Sequence, residues 1–185
     1  MNTGIISMRY AKALFAYTEL KGASDEVFRE MEILARNFAM EPRLRSTLLN
    51  PLLRPRDKIA LIKSAISEQV TRESWRFLCL VVRNHREDKL QSIALDYLDL
   101  YRKARNINVV LVETVVPIVP ETEESIKALI HTYTGGTVAL NKRINPELIG
   151  GFIFQMDYLR IDGSVASQLT EIKKYFTNEH RRKSI

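Results

Sequence analysis

The sequence predicts a mainly helical chain in two parts, an N-terminal six-helix bundle followed by a small α+β domain with a short sheet and two helices. Over the first 105 residues, apolar positions recur at helical spacing between short breaks. After Arg105 the period changes, because the β-branched run from Val109 to Val116 favours a strand. We therefore predict domains of residues 1–105 and 106–185.

Glycine, serine and proline mark the helix ends of the first domain. Helix one is expected from about Ile5 to Lys21, with Gly22 as its stop and Ser24 as the cap of helix two. The four later helices are expected to begin near Pro42, Pro55, Thr71 and Asp88. The predicted core stripes of helices two and six are Val27, Met31, Leu34, Ala35 and Phe38, and Leu90, Ile93, Ala94, Tyr97 and Tyr101.

The second domain alternates strands with helices. Pro117 and Pro120 are expected to end its first strand, and Thr122 to start a helix that Gly135 and Gly136 stop. A short strand is predicted from Thr137 to Leu140. The apolar positions expected along the intervening helix are Ile126, Leu129, Ile130 and Tyr133.

The segment from Leu148 to Phe176 predicts a hairpin followed by an amphipathic helix. Phe152, Phe154 and Met156 fall on one face of an extended chain that returns antiparallel to Ile161. The residues expected to form the turns around the hairpin and launch the helix are Gly150, Gly151, Asp162, Gly163 and Ser164. The apolar stripe of that helix is Val165, Leu169, Ile172 and Phe176.

Composition indicates a globular protein, with 45% hydrophobic and 27% charged residues. The longest apolar run, Phe77 to Val82, is far shorter than the roughly 18 residues of a membrane-spanning helix, and no signal peptide opens the chain. We therefore expect a cytosolic or matrix-like location. The single cysteine, Cys79, has no partner for a disulfide and no second thiol for a metal site.

The net charge of +6 lies entirely in the first domain, which holds 19 lysines and arginines against 13 acidic residues, whereas the second holds nine of each. A basic helical module that binds nucleic acid is therefore the main alternative class. Its binding would weaken steeply with salt, which an apolar groove would not show.

No residue constellation predicts catalysis, a metal or a cofactor. His85, His131 and His180 lie in different elements, without a second histidine or cysteine at ligand spacing. The charged turn from His85 to Asp88 is expected to be solvated rather than an acid/base cluster. Gly135-Gly136 and Gly150-Gly151 lack phosphate-loop spacing, so an enzyme is the third and weakest class.

Helix one carries two apolar stripes, Tyr10, Ala13, Leu14 and Tyr17, and Met8, Ala11 and Phe15. One stripe suffices for a core. The second is either deeper core or one wall of a groove for a partner helix, and helix five, apolar on nearly every side from Trp75 to Val82, could form the other wall.

Two segments resemble one known family. Arg9-Tyr10-Ala11-Lys12-Ala13-Leu14-Phe15 is similar to the opening signature of the delta subunit of bacterial F-type ATP synthase, called the oligomycin sensitivity conferring protein in mitochondria. Asn145 to Gly151, then Asp162-Gly163-Ser164-Val165 and Leu169, resembles the C-terminal signature of the same family in identity and spacing. The two signatures together span nearly the whole chain.

The resemblance implies a non-catalytic stator subunit that joins the catalytic head to the peripheral stalk, on the cytoplasmic face of a bacterial inner membrane. It implies that helices one and five receive the N-terminal helix of an alpha subunit, and that the second domain engages the C-terminal region of the b subunit. The alpha-docking residues carried over by position are Tyr10, Ala11, Leu14, Phe15, Trp75, Leu78 and Val82. Asp157 stands where the family commonly has a glycine at the hairpin tip.

Overall fold

A computed structural model describes residues 3–67, 69–156 and 158–182, with side chains for residues 4–67, 69–156 and 158–173. Asp157, the predicted hairpin tip, and the side chain of Phe176 lie outside the described residues. The described part contains eight α-helices and one four-stranded sheet, which confirms the mainly helical class. The chain divides into two units after Ala104, and each is described by itself.

The secondary structure of the first unit is entirely helical. Their bounds are α1 Thr3–Lys21, α2 Ser24–Met40, α3 Pro42–Leu48, α4 Pro55–Ile66, α5 Arg72–Arg83 and α6 Leu90–Ala104, with a 3₁₀ turn at Glu87–Lys89. The helix starts predicted at Pro42 and Pro55 are confirmed. Thr71 caps α5, since its hydroxyl accepts a hydrogen bond from the Ser74 amide at 3.3 Å.

The core of this unit lies where α2 and α6 present their apolar stripes. Every stripe residue predicted for these two helices is buried. The largest fully buried side chain is Tyr97, whose hydroxyl lies 3.0 Å from the Thr18 hydroxyl and donates to the Ser24 carbonyl at 3.3 Å. Burial raises the pKa of Tyr97 to about 12, so this phenol stays neutral and bonded inside the core.

Two sequence predictions in this unit are wrong. Ser24 is the first residue of α2 rather than its cap, because the chain turns within Gly22 and Ala23, whose amides bond to carbonyls in the last turns of α1. Glu87 is buried rather than solvated, because it forms an ion pair of 2.9 Å with the buried Lys58 of α4. Pairing makes burial of both charges tolerable.

The second unit consists of β1 Ile107–Thr114, α7 Pro120–Thr134, β2 Thr137–Ile144, β3 Phe152–Met156, β4 Leu159–Asp162 and α8 Val165–Arg182. The sheet order is β2-β1-β3-β4, with β1 parallel to β2 and β3 antiparallel to both of its neighbours. The predicted hairpin is confirmed. The prediction that Pro120 ends the strand is wrong, because it occupies the first turn of α7, where its missing amide hydrogen costs nothing.

The remaining differences concern length. β2 runs to Ile144 rather than Leu140, because it pairs with β1 along all eight residues of that strand. The predicted end of α7 at the glycines is confirmed, and Gly135 there has a left-handed conformation with φ of 67°.

Candidate functional site

A groove of about 190 Å³ lies between α1 and α5. It is lined by Ala13, Leu14, Tyr17, Arg76, Phe77 and Leu80. Leu80 is 47% exposed, so a large apolar side chain of α5 faces solvent at this groove. Ala13 is the small residue opposite, so a partner helix could approach α1 closely here. We call this site the α1/α5 groove.

Polar and aromatic contacts set the spacing of the two helices. The Tyr10 ring meets the Phe77 ring edge to face, with centroids 6.4 Å apart. The side-chain amide of Asn84 donates to the Tyr10 hydroxyl at 3.0 Å, and the Arg76 guanidinium donates to the Tyr17 hydroxyl at 3.1 Å. These contacts are spread along α1 from Tyr10 to Tyr17, so the groove is formed before any partner binds.

Buried carboxylates also hold the ends of α5. The Glu30 carboxylate of α2 accepts hydrogen bonds from the Thr71 amide at 2.6 Å and the Thr71 hydroxyl at 2.8 Å, at the start of α5. Just beyond its end, Glu87 pairs with Lys58. Charge-assisted bonds of this kind fix geometry strongly, so the start of α5 is tied to α2, and the turn that follows α5 is tied to α4.

The structure separates the seven predicted docking residues. Leu14 lines the α1/α5 groove, and Tyr10 contacts Phe77, which also lines it. Phe15 instead points to α6, where the centroids of its ring and the Tyr97 ring are 6.0 Å apart. Trp75 is exposed but does not line the groove. The other three residues are buried in the core and do not line the groove: Ala11, Leu78 and Val82.

The first stripe of helix one is the one that borders the groove. Ala13, Tyr17 and Leu80 were visible in the apolar patterns but were not among the carried-over docking residues. Arg76 was missed altogether, because a charged residue gives no apolar signal. The Tyr17 contact that places Arg76 at the groove depends on tertiary structure.

A larger groove of about 580 Å³ lies in the second unit, between α7 and the sheet. Because α7 connects the parallel strands β1 and β2, it covers that side of the sheet, and the described residues leave the same face of β3 and β4 open. The predicted face of Phe152, Phe154 and Met156 lines this opening, which we call the α7/sheet groove. Its other lining residues include Val112, Ile126, Leu129, Tyr133, Leu159 and Ile161.

The signature residues around the hairpin fix the backbone conformation beside it and at the start of α8. Gly151 has φ of 78°, and a side chain there would overlap the carbonyl oxygen of Gly163. The Asp162 carboxylate accepts from the Ser164 amide at 3.0 Å and from the hydroxyls of Ser164 and Ser167 at 2.7 and 2.8 Å. These bonds lower the pKa of Asp162. The Ser164 hydroxyl caps α8 by accepting from the Ser167 amide at 3.2 Å.

Metal-binding side chains are not clustered in the described residues. Within them, no three histidine, cysteine, aspartate or glutamate side chains are grouped so that they could hold a metal ion. His131 places Nδ1 2.9 Å from the Gly136 carbonyl, a local contact between the end of α7 and the start of β2. No helix in the described part of the chain has the length and hydropathy of a membrane span.

Comparison with known proteins gives one family. A family model described as ATP synthase delta (OSCP) subunit matches residues 6–176. The ATP synthase subunit delta of Phocaeicola vulgatus is 44% identical over 98% of this chain and 99% of that protein. The corresponding subunit of Bacteroides thetaiotaomicron is 41% identical over the same shares. A chain of the Toxoplasma gondii mitochondrial ATP synthase hexamer is 18% identical with a TM-score of 0.70, covering 92% of this chain and 97% of that one.

Proposed function

This chain belongs to the ATP synthase delta (OSCP) subunit family and is a non-catalytic subunit of the peripheral stalk, and on that basis we propose that it joins head to stalk through two apolar grooves. In this proposal, residues 1–105 form a six-helix bundle that binds the head, and residues 106–185 bind the stalk. The subunit belongs to a membrane-associated complex, and we place it peripherally on the cytoplasmic face of a bacterial inner membrane.

The α1/α5 groove receives the amphipathic N-terminal helix of an alpha subunit. The observation that supports this most directly is the exposed Leu80 beside Ala13, in a groove whose walls are already fixed by the Tyr17 and Asn84 hydrogen bonds. A helix laid in a groove makes contacts at every third or fourth residue, which suits two parallel walls. A pre-formed groove also reduces the entropy lost on binding.

The α7/sheet groove receives the C-terminal region of the b subunit. A sheet face needs a covering layer, and α7 covers only part of this one. A second helix beside α7 would complete the layer by covering Phe154 and Met156 of β3 and Ile161 of β4. Both attachments then depend mainly on the burial of apolar surface, and their affinity should change only weakly with salt concentration.

Calorimetry tests the first attachment. The full-length protein is titrated with a synthetic peptide of the cognate alpha N-terminus. The affinities of the Leu80→Asp and Leu95→Asp variants for this peptide are compared with that of the wild type. The two leucines are 47% and 49% exposed, on α5 and α6 respectively, so the second is a matched control. We expect Leu80→Asp to weaken binding at least about tenfold and Leu95→Asp to leave it unchanged. Equal affinities for both variants would refute the assignment of this groove.

The second attachment is tested with the C-terminal region of the cognate b subunit. Ile161→Asp changes the α7/sheet groove, and Ile144→Asp is the control, because Ile144 is a similarly exposed strand residue that does not line it. We expect only Ile161→Asp to lose binding. Loss in both variants, or in neither, would contradict the proposal.

A further inference from the structure

The excess positive charge of the helical unit is concentrated on a stretch of chain that neither groove uses. Residues 36–63 hold seven lysines and arginines against two acidic residues, Glu41 and Asp57. One of the seven, Lys58, is buried and paired with Glu87. Four exposed arginines lie around the α3 to α4 connection: Arg43, Arg45, Arg54 and Arg56. None of these four forms an ion pair with a residue that the structure describes.

Exposed apolar side chains flank these arginines along the chain. Met40 is 74% exposed, Leu49 is 48% exposed and Leu52 is 88% exposed. On α3 the core-facing residues are Leu44 and Leu48, so Arg45 and Leu49, four residues apart, share the outward side. We call the four arginines with Met40, Leu49 and Leu52 the basic-apolar patch.

Hydrogen bonds fix the chain that carries the patch. The Leu49 amide donates to the Arg45 carbonyl at 3.2 Å, and the Asn50 amide donates to the Thr47 carbonyl at 3.1 Å. The Asn50 side chain then accepts from the Leu52 amide at 2.9 Å. This is an Asx turn, so Leu52 is presented to solvent by an ordered loop.

We propose that the basic-apolar patch docks an acidic amphipathic helix of another subunit of the ATP synthase. Its carboxylates would meet the arginines, whose guanidinium groups bind carboxylates in pairs of hydrogen bonds, and its apolar edge would cover Leu49 and Leu52. The aliphatic side chains favour a protein partner over nucleic acid, because a phosphate backbone offers nothing for leucine to pack against. The site is additional to the two grooves and depends on neither of them.

The test measures rebinding of the full-length subunit to cognate ATP synthase stripped of it, at ionic strengths from about 0.05 to about 0.3 M. One variant reverses two patch charges, Arg43→Glu with Arg45→Glu, and another is Leu52→Asp. The control Arg29→Glu with Lys103→Glu makes the same change in net charge at exposed positions on α2 and α6. Leu80→Asp, run in the same assay, reports the α1/α5 groove separately.

We expect each patch variant to weaken rebinding about tenfold at low salt, and the double arginine variant also to lose most of its salt dependence. The control should retain wild-type affinity. Unchanged affinity and salt dependence in the patch variants would overturn the proposal, whatever the result for Leu80→Asp. It would also be overturned if the patch variants rebound normally but lost binding to a DNA oligonucleotide or to vesicles of anionic phospholipid.

Discussion

Tyr17 of α1 and Arg76 of α5 are joined by a hydrogen bond of 3.1 Å, in which the guanidinium donates to the phenol oxygen. Both residues line the α1/α5 groove, and they are 59 positions apart in sequence. The bond therefore links the two walls of the groove directly. Together with the bond from Asn84 to Tyr10, it makes the proposed head-binding site part of the folded structure.

Leu78 and Leu80 of α5 differ in burial, so charged substitutions should affect stability differently at the two positions. Leu78 is fully buried, so Leu78→Asp places an uncompensated charge in the core and should lower the free energy of unfolding by roughly 3 kcal/mol or more. Leu80→Asp, at the exposed groove, should lower it by less than about 1 kcal/mol. Urea unfolding followed by circular dichroism measures both. Similar losses in the two variants would contradict the exposed position of Leu80 in the groove.

Gly151 and Gly22 provide a matched pair of left-handed glycines, with φ of 78° and 67°. Gly22→Ala meets open space, so only the backbone conformation is penalised, by about 1 kcal/mol. Gly151→Ala also collides with the Gly163 backbone and should cost roughly 3 kcal/mol or more. Thermal or urea unfolding compares them. Equal costs would show that the chain near Gly163 can move aside.

The buried pair of Lys58 and Glu87 can be tested with a double-mutant cycle. Removing one partner, as in Glu87→Leu or Lys58→Met, leaves an unpaired buried charge and should cost about 3 to 5 kcal/mol. The combined variant should recover most of that loss. Additive losses in the double variant would show that the two charges do not interact, despite their separation of 2.9 Å.

Glu123 of α7 should make folding of the second unit depend on pH. Hydrogen bonds from Lys142 and Lys127 lower the pKa of Glu123 from 4.5 to about 2. A carboxyl whose pKa is lower in the folded state stabilises the fold above its unfolded pKa, and the contribution disappears as pH falls through the folded value. The melting temperature of Glu123→Gln should therefore lie below wild type at neutral pH. The difference should shrink between pH 4.5 and about 2.

The control for this pH series is Glu121→Gln, which removes the same charge from the first turn of the same helix. It should show a smaller difference at neutral pH. A melting-temperature difference for Glu123→Gln that stays constant across the acid range would rule out the linkage.

Sequence periodicity was sufficient to identify the core of the helical unit but not its docking surface. Stripes such as Met31, Leu34 and Phe38 are specified by spacing, and all are buried. Leu78 and Leu80 are equally apolar, and only the packing of α5 against its neighbours buries one and exposes the other. Arg76 and Glu87 were missed or misplaced for the same reason, because their partners, Tyr17 and Lys58, are distant in sequence.

Local turn chemistry was more predictable in the second unit. Ser164 and Gly135 lie where their intrinsic preferences suit a helix cap and a helix end. The open sheet face was not predictable in the same way, because it depends on α7 covering β1 and β2 rather than β3 and β4. Phe152, Phe154 and Met156 of β3 indicated a buried face, but they did not indicate that the described residues leave part of this face uncovered.

The central claim is that this subunit links the head to the stalk and contributes nothing to the chemistry of the head. Its most direct test uses cognate ATP synthase stripped of the subunit, reconstituted into vesicles, and supplemented with wild type or with the double variant Leu80→Asp, Ile161→Asp. We expect the double variant to leave ATP hydrolysis by the head intact but to fail to restore proton-driven ATP synthesis. Restoration of ATP synthesis to the wild-type level by the folded double variant would contradict this linking role.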